Sequence, residues 1–275
     1  MKSFRSPAKI ARRLKLLPKI ARQVKNWPSF MYHYALGLVP ERAYRFRNGA
    51  LLNIHRGTEH VPILGIFLRS EYGIPPHDAT LVDLGANIGA FSVYAAVMTR
   101  NTRVYAYEPM PEAYEVLREN VRLNKLTESI KCFNYAVAGT SAERELFVTG
   151  TNFFFPTLIA PAKAQVTRSQ PVQCTTLAEI IEANKLAQVN LLKVDVEGAE
   201  YDILYRTPFQ YFARIQEIRM EYHNLDQEEQ NVGGLKHFLT SQGYNITHEQ
   251  ATSPTNGLLW ARLRAVTTPG AGKEP

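Results

Sequence analysis

The sequence predicts an α/β protein built on an open, mostly parallel sheet with helices on both faces, and three stretches carry that expectation. The first, Leu-Val-Asp-Leu-Gly-Ala-Asn-Ile-Gly-Ala-Phe-Ser at 81–92, takes an apolar run to an acid, Asp83, and then to glycines at Gly85 and Gly89. It continues with apolar Ile88, Phe91, Val93, Tyr94 and Val97, the spacing of an amphipathic helix. Strand, tight turn and helix in this order form the nucleotide-binding entry of an open α/β sheet. Glycine is needed there because the backbone adopts conformations a Cβ forbids and because a ligand approaches the main chain closely. The second, Val-Tyr-Ala-Tyr-Glu-Pro at 104–109, is another short apolar strand ending in an acid. Glu108 lies a little beyond the ~20 residues that separate such a turn from a ribose-binding carboxylate. The third, Asn-Leu-Leu-Lys-Val-Asp-Val-Glu-Gly-Ala-Glu at 190–200, is a buried strand that delivers Asp195, Glu197 and Glu200 just before a helix.

Composition narrows the classes. With 275 residues, 45% hydrophobic and 21% charged, the chain suits one large α/β core with extensions, and disorder is excluded for most of it. Cys132 and Cys174 are the only cysteines, at no metal-ligand spacing, and no secretory signal precedes them, which fits a reducing cytoplasm. No apolar run approaches the ~20 residues that span a bilayer. The expectation is a cytoplasmic protein, at most peripheral to the membrane. The formal charge is +7, but Lys2, Arg5, Lys9, Arg12, Arg13, Lys15, Lys19, Arg22 and Lys25 all precede the first acid, Glu41. Subtracting these nine charges leaves −2 for the rest. A basic body would point to nucleic acid; a nearly neutral body with a basic arm does not, and no nucleic-acid partner is expected.

In chain order, residues 1–42 read as a basic amphipathic helical arm. Ile10, Leu14, Leu17, Ala21, Val24 and Trp27 recur at spacings of three or four, and Pro18 kinks or splits the helix. Such an arm suits peripheral contact with an anionic membrane, packing on the body of its own chain or a homodimer contact, and its composition is also that of a transit peptide. Asn48-Gly49 between two alternating runs signals a hairpin, both residues tolerating positive φ. Residues 62–72 read as a helix leading to the loop Gly73-Ile74-Pro75-Pro76.

The core then alternates: strand to Asp83, helix to about Thr99, strand to Glu108, helix 111–124 with Pro111 in its first turn, strands 130–135 and 144–148. Phe153, Phe154 and Phe155 beside Pro156 read as a loop that either tucks into the core or walls a ligand site. A strand at 172–175 precedes a helix 177–184, capped by Thr176 with Glu179 as its capping-box partner. Strand 189–195, a helix after Gly198, strand 215–223, helix 235–241 and a hairpin of strands 244–247 and 257–263 complete the sheet. Residues 43–266 thus form one domain that includes the N-terminal β-hairpin, and 267–275, rich in Gly and Pro, a disordered tail.

Asp-x-Gly-Ala-Asn-x-Gly-x-Phe-Ser, Tyr-Glu-Pro and Leu-Lys-x-Asp-Val-Glu-Gly-Ala-Glu, in that order, resemble the class I S-adenosylmethionine-dependent methyltransferases, and specifically the FkbM family. The resemblance spans roughly residues 45–222. It implies a Rossmann-like class I methyltransferase sheet with an antiparallel C-terminal hairpin and an N-terminal helical extension, with S-adenosylmethionine as donor and S-adenosylhomocysteine as product. It further implies that Asp83, Gly85, Ala86, Asn87 and Gly89 line the methionine and sugar side of the cofactor, and that Glu108, with Pro109 beside it, takes the ribose hydroxyls. The loop 134–137, with Asn134 and Ala136, would flank the adenine, and Asp195 would sit near the transferred methyl. Asn87 stands where the commonest methyltransferase turn has glycine, as FkbM-type sequences do, and reads as an additional hydrogen-bonding group.

The strand-end rule brings Asp83, Glu108, Asp195 and His223 to one crevice. Asp-Val-Glu-Gly is not the Asn/Asp-Pro-Pro-Tyr pattern of many amino-group and adenine methyltransferases, and no Pro-Cys pair marks a cytosine nucleophile. A hydroxyl acceptor remains, and the resemblance points the same way, to O-methylation of a sugar, a glycolipid or polysaccharide, or a polyketide-type molecule. The expected base is His223, supported by Glu221 or Asp195, because imidazole is matched to pH 7; Glu197 and Glu200 read as structural. A divalent metal joining Asp195 to the Glu221/His223 pair stays open and is not expected. Two other readings compete. An NAD(P)-dependent reductase shares the glycine turn and the ribose acid, but its Gly-x-Gly-x-x-Gly spacing is missing. A non-catalytic cofactor-binding module tethered by the arm is the other.

Overall fold

The computed structural model describes residues 16–149, 156–160, 165–225 and 228–265. Ile10 and Leu14 of the expected arm, the aromatic run Phe153, Phe154 and Phe155, and the tail 267–275 lie outside the described residues. The described part opens with helices Leu17–Gln23 and Trp27–Leu36. Pro18 lies in the first turn of the first of them, where a missing N–H costs no hydrogen bond. Ile20 and Val24 are fully buried and Leu17 and Trp27 pack partly buried against the same core. This portion of the apolar stripe therefore rests on the body of the molecule.

The hairpin forms as β1 (Tyr44–Arg45) and β2 (Leu51–Leu52), antiparallel. Of the Asn-Gly pair only Gly49 takes positive φ, 101°, while Asn48 Oδ1 accepts from the Ala50 N–H at 3.1 Å. The hairpin is tied to the core through Asn120 and Asn124, whose side-chain oxygens accept from the Asn53 and Leu51 N–H groups at 2.7 and 2.8 Å. The expected helix after it starts and ends earlier and is not α-helical throughout: His60–Ile63 runs into a wider π-helical stretch, Leu64–Arg69, ended by Ser70 in the left-handed region.

The strands that follow are β3 (Thr80–Leu84), β4 (Arg103–Tyr107), β5 (Ile130–Phe133), β6 (Ala136–Val137), β7 (Glu143–Thr149), β8 (Val166–Thr175), β9 (Leu191–Val194), β10 (Glu217–His223), β11 (Tyr244–Ala251) and β12 (Asn256–Leu263). Seven of them make the central sheet, in the order β11-β12-β10-β9-β3-β4-β5. β5, β4, β3, β9 and β10 run parallel, whereas β12 is antiparallel to both β10 and β11. The last strand thus inserts between β10 and β11, giving the class I methyltransferase sheet with its antiparallel C-terminal hairpin. β9 is buried along its whole length, as a parallel strand covered on both faces must be. Thr176 caps helix Leu177–Ala183 with Glu179 closing the capping box, as its sequence dictates. β6, expected as loop, instead joins β8 and β7 in a separate small sheet.

Strand order reverses between β3, which leads to β4 on one side, and β9 on the other. A crevice opens at such a switch point, beyond the carboxyl ends of the strands. Here the two strand ends touch: Gly85 has φ +71°, and a Cβ on it would collide with the Asp195 carbonyl oxygen. The Gly85 and Ala86 N–H groups donate to the Tyr107 carbonyl at 3.0 and 2.9 Å, binding the turn to the end of β4.

Because Ile20 is fully buried in the main core, Ile20→Ala should destabilise the whole domain by about 2–5 kcal/mol. Thermal unfolding should show a single transition lowered by several degrees. An unchanged Tm would mean that helix Leu17–Gln23 is peripheral to the fold.

Candidate active site

A cleft of about 630 Å³ lies at the switch point. Its wall on one side is Gly85, Ala86, Asn87, Glu108, Pro109 and Ala136; on the other it includes Asp195, Glu197 and Glu221, with Tyr72 from the N-terminal extension. Glu108 is buried, its Oε2 accepting from the Asn87 N–H at 2.7 Å and its Oε1 from the Met110 N–H at 2.9 Å. Burial pushes its carboxyl up to about 7, against the pull of those two N–H groups. Asn134 Nδ2 donates to the Glu108 and Pro109 carbonyls at 2.8 and 3.1 Å and so fixes the chain after β4 without standing on the cleft wall. Asn87 takes φ 50°, and its Oδ1 accepts from the Ile88 N–H at 2.8 Å, so its carbonyl stabilises the turn.

Beneath the turn lies a residue that the sequence reading passed over, Lys193 on β9. It is 3% exposed, and its Nζ stands 3.0 Å from Asp83 Oδ1 and 3.6 Å from Asp195 Oδ2. It also donates to the Gly85 carbonyl at 2.7 Å and the Leu84 carbonyl at 3.2 Å. Burial works against its charge, yet Asp83 and then Asp195 hold its pKa above the ordinary lysine value, so it is an ammonium ion. Asp83 is fully buried and also accepts from Ser92 Oγ at 2.6 Å; it faces Lys193, not the cleft. Gly89 is likewise internal, packed against Leu117 at the start of helix Ala90–Met98. Both support the turn from behind.

Asp195 accepts from the Tyr72 hydroxyl at 3.0 Å. Glu221 stands on the same wall. Its carboxyl is pushed up to about 8, first by burial and then by the negative charge of Asp195. Among the described residues, no three His, Cys, Asp or Glu side chains gather so as to hold a metal ion.

The position of His223 corrects its expected role. It does not line the cleft; its Nδ1 is 2.7 Å from Glu200 Oε1 and its Nε2 3.2 Å from Glu197 Oε2. Burial opposes the charge, but the two carboxylates outweigh it and push the imidazole up to about 11. An imidazolium with both nitrogens engaged takes no proton from a substrate at neutral pH. Its partners are not Glu221 or Asp195, and Glu197 and Glu200, read as structural, are the carboxylates that hold it. What it does is pin the loop after β9, where Glu197 sits at φ 52°.

The family model described as the methyltransferase FkbM domain matches residues 83–246, more than half the chain. The chain belongs to the FkbM methyltransferase family. Relatives agree: Methyltransferase 1 of Beauveria bassiana is 26% identical over 210 residues, covering 67% of this chain and 80% of that protein. The 31-O-demethyl-FK506 methyltransferase FkbM of Streptomyces tacrolimicus is 24% identical over 209 residues, 67% of this chain and 79% of its own length. The hexuronic acid methyltransferase AglP of Haloferax volcanii is 28% identical over 130 residues, 46% of this chain and 49% of that one. An FkbM methyltransferase is an enzyme of methyl transfer, which sets the reductase reading aside.

In this FkbM-family protein the folded value for His223 lies above the ordinary 6.5, so the stability it contributes is full below about pH 6.5 and is lost as pH rises through about 11. The ring protons of His223, followed by NMR against a His223→Gln reference, should show no titration between about pH 5.5 and 9. A midpoint near 6.5 would restore a neutral imidazole to the site.

Proposed function

We propose that the protein transfers a methyl group from S-adenosylmethionine to a hydroxyl oxygen of a small-molecule or glycan acceptor. The observation that supports this reading most strongly is Glu221, a carboxyl lining the same cleft as Glu108, across from it, whose proton affinity is raised to about 8. A base matched to neutral pH is what removal of a hydroxyl proton calls for. The names of two relatives, an FK506 31-O-demethyl methyltransferase and a hexuronic acid methyltransferase, support an oxygen acceptor on a small molecule or sugar.

The residues present fit the donor. Glu108 is a buried carboxylate on the cleft wall, still costly to ionise with only two backbone donors, which is the environment that two ribose hydroxyls would relieve. Gly85, Ala86 and Asn87 would let the donor lie against the main chain, Ala136 would flank its base, and Asp195 would stand nearest the reacting group. When bound, S-adenosylmethionine supplies an electrophilic methyl on a sulfonium. The chain's own share is positioning and proton transfer. Glu221 accepts the hydroxyl proton as the acceptor oxygen is alkylated, and the neighbouring Asp195 charge keeps Glu221 basic. Among the described residues, no helix is long and apolar enough to cross a membrane.

Two outcomes test this reading. Ribose hydroxyls bind the ionised carboxylate, so the affinity for S-adenosylhomocysteine should be full above about pH 7 and fall as pH drops below it, by roughly tenfold per unit at most. Calorimetry should also show Glu108→Ala weakening binding by about 1.5–3 kcal/mol. Affinity independent of pH between 5.5 and 8 would remove Glu108 from the ribose. For the chemistry, Glu221→Gln should lower kcat by about 10²–10⁴-fold and abolish the rising limb of the pH–rate profile near pH 8, with cofactor affinity kept. Retention of that limb would move the base elsewhere, and an absence of turnover with every acceptor tried, although the cofactor binds, would favour a cofactor-binding module.

A further inference from the structure

The loop at 70–76 lies outside the 83–246 span of the family match, yet it supplies a side chain to the lining of the cleft. Tyr72 is 2% exposed, packs edge-on to Phe91 with ring centres 5.6 Å apart, and carries the Lys193 ammonium 5.5 Å from its ring centre. Its hydroxyl donates to Asp195 Oδ2 at 3.0 Å. Burial and the Asp195 charge keep that hydroxyl protonated well beyond the ordinary tyrosine range, so it is a standing donor.

What aims Tyr72 is Arg219 on β10. Its Nε and Nη2 donate to the two oxygens of Glu217 at 3.0 and 3.1 Å, which fixes the guanidinium plane, and the guanidinium lies 4.6 Å over the Trp260 ring. The remaining nitrogen, Nη1, donates to the Tyr72 carbonyl and, at 3.3 Å, to the Ile74 carbonyl. Arg219 and Glu217 are 6% and 7% exposed. A planar fork with all three nitrogens committed holds one geometry, as a lysine ammonium would not. Between the two carbonyls sits Gly73, at φ +61°, where a Cβ would stand 3.0 Å from Arg219 Nη1 and 3.1 Å from Trp260. Glycine at this position is what lets the chain lie this close to the guanidinium.

We propose that Arg219 is a positioning residue for the methyl-transfer site: it holds the Tyr72 main chain so that the Tyr72 hydroxyl fixes the Asp195 carboxylate and closes the N-terminal extension over the cleft. This rests on the reading that Asp195 stands beside the bound donor. The site is then assembled from two parts, the matched domain and a loop before it, joined by one guanidinium.

The test is a double-mutant cycle with Tyr72→Phe, Arg219→Lys and the pair, read by calorimetric affinity for S-adenosylhomocysteine and by hydrogen exchange of the 70–74 amides. Each single change should weaken affinity by about tenfold, the scale of one hydrogen bond to a charged group. The double variant should be no weaker than the worse single one, because both act through the same contact. Exchange at 70–74 should rise in Arg219→Lys while the central strands stay protected. Should Arg219→Lys fail to fold with Glu217 poorly paired, Gly73→Ala takes its place, since it pushes the loop off Arg219 and leaves the Arg219–Glu217 pair intact. A merely structural Arg219 would lower Tm with effects on affinity that multiply, and that result, or unchanged exchange at 70–74, would overturn the proposal. If the wild type binds no S-adenosylhomocysteine, the cofactor reading fails by itself, and the exchange measurement alone decides whether Arg219 holds the loop.

Discussion

The structure depends on one buried ammonium. Lys193 sits where the parallel strands reverse order, between Asp83 and Asp195 and under the carbonyls of Leu84 and Gly85. It pairs the acid of the first strand with the acid of the fourth core strand, and it satisfies two carbonyls of a turn whose glycine has no room for a side chain. Removing one partner of such a buried pair costs about 3–5 kcal/mol because the other charge is stranded. The cleft therefore inherits its shape from an ion pair that stands behind it. The acids named by the glycine-turn motif divide into one that holds the turn and others that face the cleft.

The charges around that centre are arranged by burial. Glu108 and Glu221 stand on the cleft wall with proton affinities raised to about 7 and 8, in a range where ligand and solvent decide their state. His223, a short distance away, is raised too, but by its carboxylate partners against burial, which makes it a fixed cation between Glu197 and Glu200. Groups of this kind, perturbed by desolvation and by named neighbours, mark functional sites more often than structural ones. One histidine holds a loop, and two carboxyls remain to respond to substrate.

Much of this was legible in the sequence. The strand, turn and helix at 81–92, the acid of Tyr-Glu-Pro and the buried strand before Asp195 gave the sheet, the switch point and the cleft wall, because each is a local pattern with a short-range cause. The C-terminal hairpin was legible as two strands, although only pairing shows that β12 inserts between β10 and β11. The role of His223 was not legible: histidine's ordinary pKa suggested a base, and the carboxylates that abolish that behaviour are 23 and 26 residues away in the chain. Lys193 carried a signal that could have been used, a lysine inside an otherwise apolar strand, which must find a partner. Tyr72 carried none, since its contact with Asp195 spans 123 residues and is set by Arg219 on a third element.

The central claim is that one cleft brings a methyl donor to a hydroxyl oxygen. Its most direct test is to incubate the purified protein with S-adenosylmethionine carrying a carbon-13 methyl and a metabolite and glycan extract of the host, and to read the carbon-13 chemical shift of the methyl after transfer. The account predicts a new resonance in the O-methyl region on a small molecule or glycan. Label appearing on nitrogen, on carbon or on nucleic acid would contradict it.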